Sequence, residues 1–256
     1  MDLTADIRNR LRSKPILLMT HLVLGYPSFE VNREVIRAMA ENGVDCIELQ
    51  IPFSEPMADG PVILKANQDS LARGTRVADC FAFAAEMVRE FPRMNFLFMT
   101  YYNIIFRQGE ETFIRRAAEI GIRGFIVPDL PPEEGHDYLL LSREHDTSPI
   151  MFFTPTSTGE RMRYVAGLGS GFIYCVARKG VTGKQTEMDE TLARNLARYR
   201  AATDLPLAVG FGIARREDVA VLEGKADMAI IGTATIRLVD EQGAAAVGPF
   251  ITGLLG

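Results

Sequence analysis

The chain has 256 residues, of which 47% are hydrophobic and 24% charged, a composition typical of a globular protein with one sizeable core. Its formal net charge of -5 argues against a nucleic-acid partner, because phosphate backbones attract clustered lysine and arginine. No apolar run reaches membrane-spanning length, and the N-terminus lacks the apolar core of a signal peptide. Three cysteines without metal-ligand spacing, with Cys46 and Cys175 in apolar runs, fit buried thiols in a reducing cytosolic compartment.

Short apolar segments alternate with longer amphipathic segments along the chain. Leu3, Ile7 and Leu11 follow helical spacing and predict an extra N-terminal helix. The apolar segments predict eight buried strands: Ile16–Val23, Val44–Ile51, Asn95–Met99, Gly124–Val127, Pro149–Phe153, Gly171–Val176, Pro206–Val209 and Met228–Ile231. The amphipathic segments predict helices over Phe29–Glu41, Val77–Glu90 with Thr75 as N-cap, Glu111–Ile120, from Pro132, Asp189–Tyr199, Arg215–Leu222 and Gly243–Leu254. This alternation predicts a single (β/α)8 barrel domain over residues 1–256, with a doubly wound open sheet as the alternative.

Two carboxylate residues lie near the end of the second predicted strand, one before that end and one after it. Glu48 lies inside this apolar strand, and Asp59 follows in the loop that Pro52 begins. A buried acid without a partner is costly, so such residues often serve as a general acid or base. The alternative, equally supported by composition, is that these acids face solvent or pair with lysine or arginine.

Other catalytic chemistries find little support in the sequence. No predicted strand contains a lysine, which argues against a Schiff-base mechanism. Only three histidines occur, so a histidine-rich metal site is not expected, and we assign no metal ligands. Acid–base chemistry by carboxylates remains.

Glycine-rich turns follow the last two predicted strands. Gly212 lies in the turn after the seventh strand, and Gly232 and Thr233 follow the eighth; each turn is expected to open a helix. Glycine lets backbone N–H groups approach a ligand, and helix N-termini favour anions. Phosphate sites recur at these positions in barrels, so a phosphate site is the preferred interpretation and simple tight turns are the alternative.

Residues 48–61 read ELQIPFSEPMADGP, which closely resembles the signature of the tryptophan synthase alpha subunit family. The similarity extends through GYPS at 25–28, MTYYN at 99–103, PDLP at 128–131 and YCVARKGVTG at 174–183. The sequence departs from the family pattern at four positions, where it carries His21, Gln50, Glu55 and Thr233. We expect His21 to be a neutral packing residue, with a catalytic role as the alternative.

This resemblance implies a (β/α)8 lyase that cleaves indole-3-glycerol phosphate to indole and glyceraldehyde 3-phosphate by a retro-aldol reaction. It implies that Glu48 and Asp59 are catalytic. The substrate-binding residues that it implies are Ile63, Tyr101, Asp129, Tyr174, Thr182 and Phe211. The phosphate-binding residues that it implies are Gly183, Gly212, Gly232 and Thr233, with residues 176–189 forming a lid.

The resemblance also implies how the chain works with others. It implies no cofactor in this chain, and a pyridoxal-phosphate beta subunit as the partner in an alpha-beta-beta-alpha assembly. Two alternatives stay open: a lyase that works without a beta subunit, and an alpha-like subunit that mainly binds and activates its partner. Intact Glu48 and Asp59 favour catalysis.

Overall fold

A computed structural model of the protein describes residues 2–176, 190–210 and 212–256. Eight parallel strands close into a barrel in the order of the sequence, which excludes the open sheet and confirms the predicted fold. The strands are β1 (Leu17–Val23), β2 (Cys46–Gln50), β3 (Asn95–Met99), β4 (Gly124–Ile126), β5 (Ser148–Phe153), β6 (Ile173–Val176), β7 (Leu207–Gly210) and β8 (Met228–Ile231). The last strand, β8, pairs with β1, with Leu17 opposite Met228.

Helices surround the barrel and connect its strands. They are α1 (Leu3–Arg10), α2 (Phe29–Glu41), α3 (Pro61–Ala72), α4 (Val77–Glu90), α5 (Tyr102–Gln108), α6 (Glu110–Glu119), α7 (His136–Glu144), α8 (Gly159–Leu168), α9 (Glu190–Arg200), α10 (Arg216–Ala220), α11 (Thr233–Gln242) and α12 (Val247–Leu255), with a 3-10 turn at Ala244–Ala246. In the part of the chain that the structure describes, no helix is both long and apolar enough to cross a membrane.

The predicted N-cap of α4 and the predicted start of α7 are wrong. The α4 helix begins after Arg76, whose N–H donates to the Asp79 carboxylate at 2.9 Å, while the predicted cap Thr75 accepts a bond from Ser70. The α7 helix begins at His136, because Pro132 belongs to a turn in which the Gly135 N–H donates to its carbonyl at 3.4 Å. Both errors arise because a local capping signal does not say whether a neighbouring turn takes the same residue.

The strands bury both faces, and alternate residues separate two apolar clusters. Leu17 and Met19 point into the barrel interior, whereas Leu18 and Leu22 pack outward with the surrounding helices. The α1 helix contributes to the interior cluster, and its Thr4 hydroxyl accepts the Gly171 N–H at 2.9 Å. Since strands covered on both sides are apolar throughout, composition alone does not reveal which residues face inward.

The same alternation continues to the carboxyl ends of the strands, where it directs polar residues to the barrel interior. His21 lies two residues beyond Met19, and Glu48 and Gln50 follow Cys46 at the same spacing. His21 and Glu48 are opposite each other in the pairing of β1 with β2. The barrel interior therefore ends in a polar layer where active sites of this architecture occur.

Candidate active site

A cavity of about 790 Å³ lies at this end of the barrel. Both predicted catalytic residues, Glu48 and Asp59, contribute to its lining, as does His21. The predicted substrate and phosphate residues that also line it are Ile63, Asp129, Tyr174, Gly212, Gly232 and Thr233. A cavity of this size accommodates a ligand of drug-like dimensions.

Glu48 is held inside the barrel wall with only 4% of its surface exposed. Burial raises its pKa to about 8, and the neighbouring Asp59 carboxylate contributes to the rise. Its Oε2 atom is buried and has no hydrogen-bond partner among the described residues. At neutral pH Glu48 is therefore mostly protonated, with one oxygen available to a bound molecule.

Asp59 is placed by the loop between β2 and α3. This loop leaves the strand before Pro52 and ends where Pro61 begins α3, and the Asp59 N–H donates to the Pro56 carbonyl at 2.9 Å. The Asp59 Oδ2 atom accepts two bonds, from the Gln50 amide at 2.7 Å and from the Tyr101 hydroxyl at 3.0 Å. The carboxylate is therefore fixed from the strand side of the loop.

These contacts give Asp59 a lower pKa than Glu48. Burial raises the Asp59 pKa to about 6, and the bonds from Gln50 and Tyr101 oppose that rise. At pH 7 the pair consequently holds one protonated and one ionised carboxyl group. Two acids whose environments separate their pKa values in this way can divide the work of proton transfer and charge stabilisation.

His21 is buried on β1 and its Nε2 atom lies 2.8 Å from the Gln50 Oε1 atom. Burial lowers its pKa to about 4, so the ring is neutral at pH 7, which confirms that part of the expectation. The ring does more than fill space, however, because it contacts Gln50, which donates a hydrogen bond to Asp59.

The remaining predicted residues take several positions. Tyr101 is fully buried behind Asp59, and its hydroxyl also accepts the Ala58 N–H at 3.1 Å. Asp129 follows β4 and accepts the Tyr102 N–H at 2.9 Å at the start of α5. Burial raises the pKa of Tyr174 well above its ordinary value, with the nearby Glu48 and Asp59 carboxylates adding to the rise.

The glycine-rich turns differ from the expected pattern at one position. Gly232 is the N-cap of α11, which begins at Thr233 as expected. Gly212 has a φ of 88°, a conformation that favours glycine, but α10 begins only at Arg216, so this turn does not open a helix directly. Thr182, Gly183 and Phe211 lie outside the described residues. So does the predicted lid, except for Val176.

Gln50 and Arg237 are two polar residues near the predicted site whose positions were not predicted. The family pattern marks Gln50 only as a departure, although its spacing of two from Glu48 on a strand places both residues on one face. Arg237 lies one turn after Thr233 on α11, lines the cavity and forms no salt bridge with a described acid. The spacing of four on a helix was the signal that could have identified it.

Comparison with known proteins gives one consistent family. The family model described as tryptophan synthase alpha chain matches residues 5–248. A tryptophan synthase alpha chain of Desulfotalea psychrophila is 62% identical over 99% of this chain and 100% of that protein. One of Desulforapulum autotrophicum is 55% identical over 98% and 99% of the two chains, respectively.

Solved structures agree with these relatives. A protein from Aquifex aeolicus matches with a TM-score of 0.92 and 33% identity, covering 99% of this chain and 98% of that one. A chain of tryptophan synthase from Mycobacterium tuberculosis matches with a TM-score of 0.90 and 28% identity, covering 100% and 98%. The chain belongs to the tryptophan synthase alpha chain family, whose members are lyases that cleave indole-3-glycerol phosphate in tryptophan biosynthesis.

Proposed function

We propose that Glu48 and Asp59 carry out the retro-aldol cleavage of indole-3-glycerol phosphate to indole and glyceraldehyde 3-phosphate. The observation that carries this proposal is that the two acids line one cavity with pKa values of about 8 and about 6. At neutral pH this separation supplies a proton donor and an anion side by side.

Glu48 is the proton carrier of the reaction. Its carboxyl group gives a proton to C3 of the indole ring, and the resulting carboxylate removes the proton of the glycerol hydroxyl. As that hydroxyl becomes the aldehyde carbonyl, the carbon–carbon bond breaks and its electrons return to the ring. Glu48 ends the cycle protonated, so the step needs no water or cofactor. The buried Oε2 atom, which has no hydrogen-bond partner among the described residues, supports this role.

Asp59 stabilises the positive charge that develops on the indole nitrogen when C3 is protonated. An ionised carboxylate in a buried site stabilises such charge far more than it would in water. The bonds from Gln50 and Tyr101 support this role, because both favour the ionised form.

The phosphate group binds at the turns after β7 and β8. Gly212, Gly232 and Thr233 line the cavity there, and the backbone N–H groups at the start of α11 favour an anion. Arg237 adds a positive charge one helical turn away. Gly183 completes this set in the proposal.

The rest of the substrate contacts the cavity wall. Ile63, Asp129 and Tyr174 line the cavity and are proposed to contact the indole and glycerol parts of the substrate. Tyr101 acts indirectly, because it lies behind Asp59. Thr182 and Phe211 remain proposed substrate contacts by resemblance.

A tryptophan synthase beta subunit is the proposed partner. Met57 is 76% exposed in the loop that carries Asp59, beside the exposed Glu55, and Phe106 on α5 is 69% exposed. We propose that these exposed side chains contact the beta subunit. Pyridoxal phosphate would belong to that beta subunit and not to this chain. The free, buried Cys46, Cys80 and Cys175 support work in the reducing cytoplasm.

One assay tests the reaction and separates the alternatives. Indole release from indole-3-glycerol phosphate is measured for the full chain, alone and with a beta subunit, beside a matched Asp59→Asn variant. Release that rises with the beta subunit and is lost in the variant supports the proposal. Full release without a beta subunit would favour a stand-alone lyase. No release under either condition, with a beta subunit that is nevertheless activated, would favour a binding partner and reject catalysis.

A further inference from the structure

A chain of hydrogen bonds crosses the floor of the site from β1 to the loop after β2. The His21 ring contacts the Gln50 Oε1 atom at 2.8 Å, and the Gln50 Nε2 atom contacts the Asp59 Oδ2 atom at 2.7 Å. His21 and Gln50 are both buried; the bond between them is buried, and the bond from Gln50 to Asp59 is partly buried.

The direction of each bond follows from the chemistry of its atoms. An ionised carboxylate only accepts, so the Gln50 NH₂ group must face Asp59 and its carbonyl oxygen must face His21. His21 must therefore donate from Nε2, which is the neutral tautomer with a bare Nδ1 atom. In agreement with this, Nδ1 is buried and has no hydrogen-bond partner among the residues that the structure describes. In this tautomer the His21 N–H stabilises the amide orientation in which the Gln50 NH₂ group faces Asp59.

The described hydrogen-bond donors that favour the ionised form of Asp59 are uncharged. Glu48 on β2 and Tyr174 on β6 interact electrostatically with Asp59, and Tyr101 after β3 donates a hydroxyl to it. The described influences on the Asp59 pKa are burial, which raises it, and the bonds from Gln50 and Tyr101, which lower it. Neither lysine nor arginine is among them.

We propose that His21 and Gln50 are positioning residues: His21 fixes the Gln50 amide, and Gln50 holds Asp59 as an oriented anion before substrate binds. Both bonds to Asp59 reach Oδ2, so Oδ1 takes no part in this network. The loop is thereby attached to strand β2 through a side chain, without any contribution from a partner protein. This inference rests on the proposed role of Asp59.

Four variants of the full chain separate the network from general packing. Gln50→Met removes the amide with little change of shape, and His21→Leu removes the ring N–H. His21→Gln places an amide N–H near the position of Nε2 and should restore the bond. Thr20→Val is the control, because Thr20 neighbours His21 but directs its hydroxyl outward to the Met39 sulfur at 3.1 Å.

The first readout is the Asp59 pKa from carboxyl carbon shifts, measured in a Glu48→Gln background so that Asp59 titrates alone. The second readout is the pH profile of kcat/KM with Glu48 intact. Gln50→Met should raise the Asp59 pKa by about one unit and move the acid limb equally, a tenfold loss of kcat/KM at pH 5. His21→Leu should do the same to a smaller extent, whereas His21→Gln and Thr20→Val should resemble the native chain.

The outcomes distinguish failure of this inference from failure of the proposed function. An Asp59 pKa that stays unchanged in Gln50→Met and His21→Leu overturns the inference whatever Asp59 does. A pKa that moves while the rate profile stays fixed overturns the positioning role, and full activity of Asp59→Asn would then locate the error in the proposed role of Asp59. If the variants do not fold, nitrogen shifts of the native His21 ring decide, because a proton on Nδ1 at pH 7 overturns the network.

Discussion

Glu48→Gln should make the protein more stable while nearly abolishing indole release. Glutamine keeps the shape of the side chain but neither ionises nor carries a proton. In the native chain, burial raises the Glu48 pKa from 4.5 to about 8, so ionising this group in the folded state is costly. The variant removes that cost together with the proton carrier.

The magnitude follows from linkage between protonation and folding. Between pH 4.5 and about 8 the folded chain binds the Glu48 proton more strongly than the unfolded chain does, so native stability falls as pH rises across this window. One pKa unit corresponds to roughly 1.4 kcal/mol, and the loss is complete only above the folded pKa. From pH 6 to pH 9, Glu48→Gln should therefore gain on the order of 3 kcal/mol relative to the native chain.

The assay is chemical unfolding of both proteins at pH 6, 7, 8 and 9, with indole release measured on the same preparations. Glu144→Gln is the control, since Glu144 is exposed on α7 and the substitution is the same. We expect its stability to remain within about 0.5 kcal/mol of the native value at every pH.

Parallel stability curves for Glu48→Gln and the native chain would refute the reasoning. Such a result would mean that Glu48 ionises as easily in the folded chain as in the unfolded one, so burial does not prepare it as an acid. Near-native turnover in the variant would separately reject Glu48 as the proton carrier.

Three further predictions concern the remaining parts of the site. A plot of kcat/KM against pH for the native chain should be bell-shaped, with apparent pKa values near 6 and 8 for the carboxyl pair. Asp59→Asn should lower kcat at least a hundredfold across the same pH series, and a native rate would mean that Asp59 only orders the loop. Gly232→Ala should raise KM for indole-3-glycerol phosphate about tenfold at unchanged thermal stability, because the added Cβ meets no atom of the described residues within 4 Å yet crowds the anion. Arg237→Met should raise KM less, and KM values equal to the native one would move the phosphate elsewhere. Glu55→Asp should improve activation by a beta subunit from a typical alpha–beta pair by about 1 kcal/mol in a titration of indole release, and activation equal to that of the native chain would make Glu55 neutral.

The sequence predicts the barrel well because its signals are local and repeated. Two strands, Asn95–Met99 and Met228–Ile231, and two helices, Phe29–Glu41 and Val77–Glu90, have the predicted bounds. Three helices of the barrel, α3, α5 and α8, were not predicted. The α5 helix has only seven residues, too few to display a clear helical period.

The sequence singles out the two acids of the candidate site but not the hydrogen bonds that connect Asp59 to other residues. Glu48 and Asp59 are conspicuous because ionisable groups beside apolar strands are costly and therefore informative. The roles of His21, Gln50 and Tyr101 depend on which strand face each occupies and on register between strands, and β1 and β2 are buried on both faces. A pattern without alternation carries no information on facing, so only the folded barrel reveals these contacts.

Among the residues that the structure describes, no lysine or arginine influences the pKa of Glu48 or of Asp59. A lysine or arginine beside Glu48 would favour the ionised form and lower its pKa, so that at pH 7 it could no longer donate a proton. Asp59 faces the opposite requirement, since burial alone would protonate it. Neutral donors on Gln50 and Tyr101 meet both requirements, because a hydrogen bond acts on the one carboxylate that it reaches whereas a charge acts on both. The described influences on the two pKa values accordingly comprise burial, one carboxylate and two uncharged side chains.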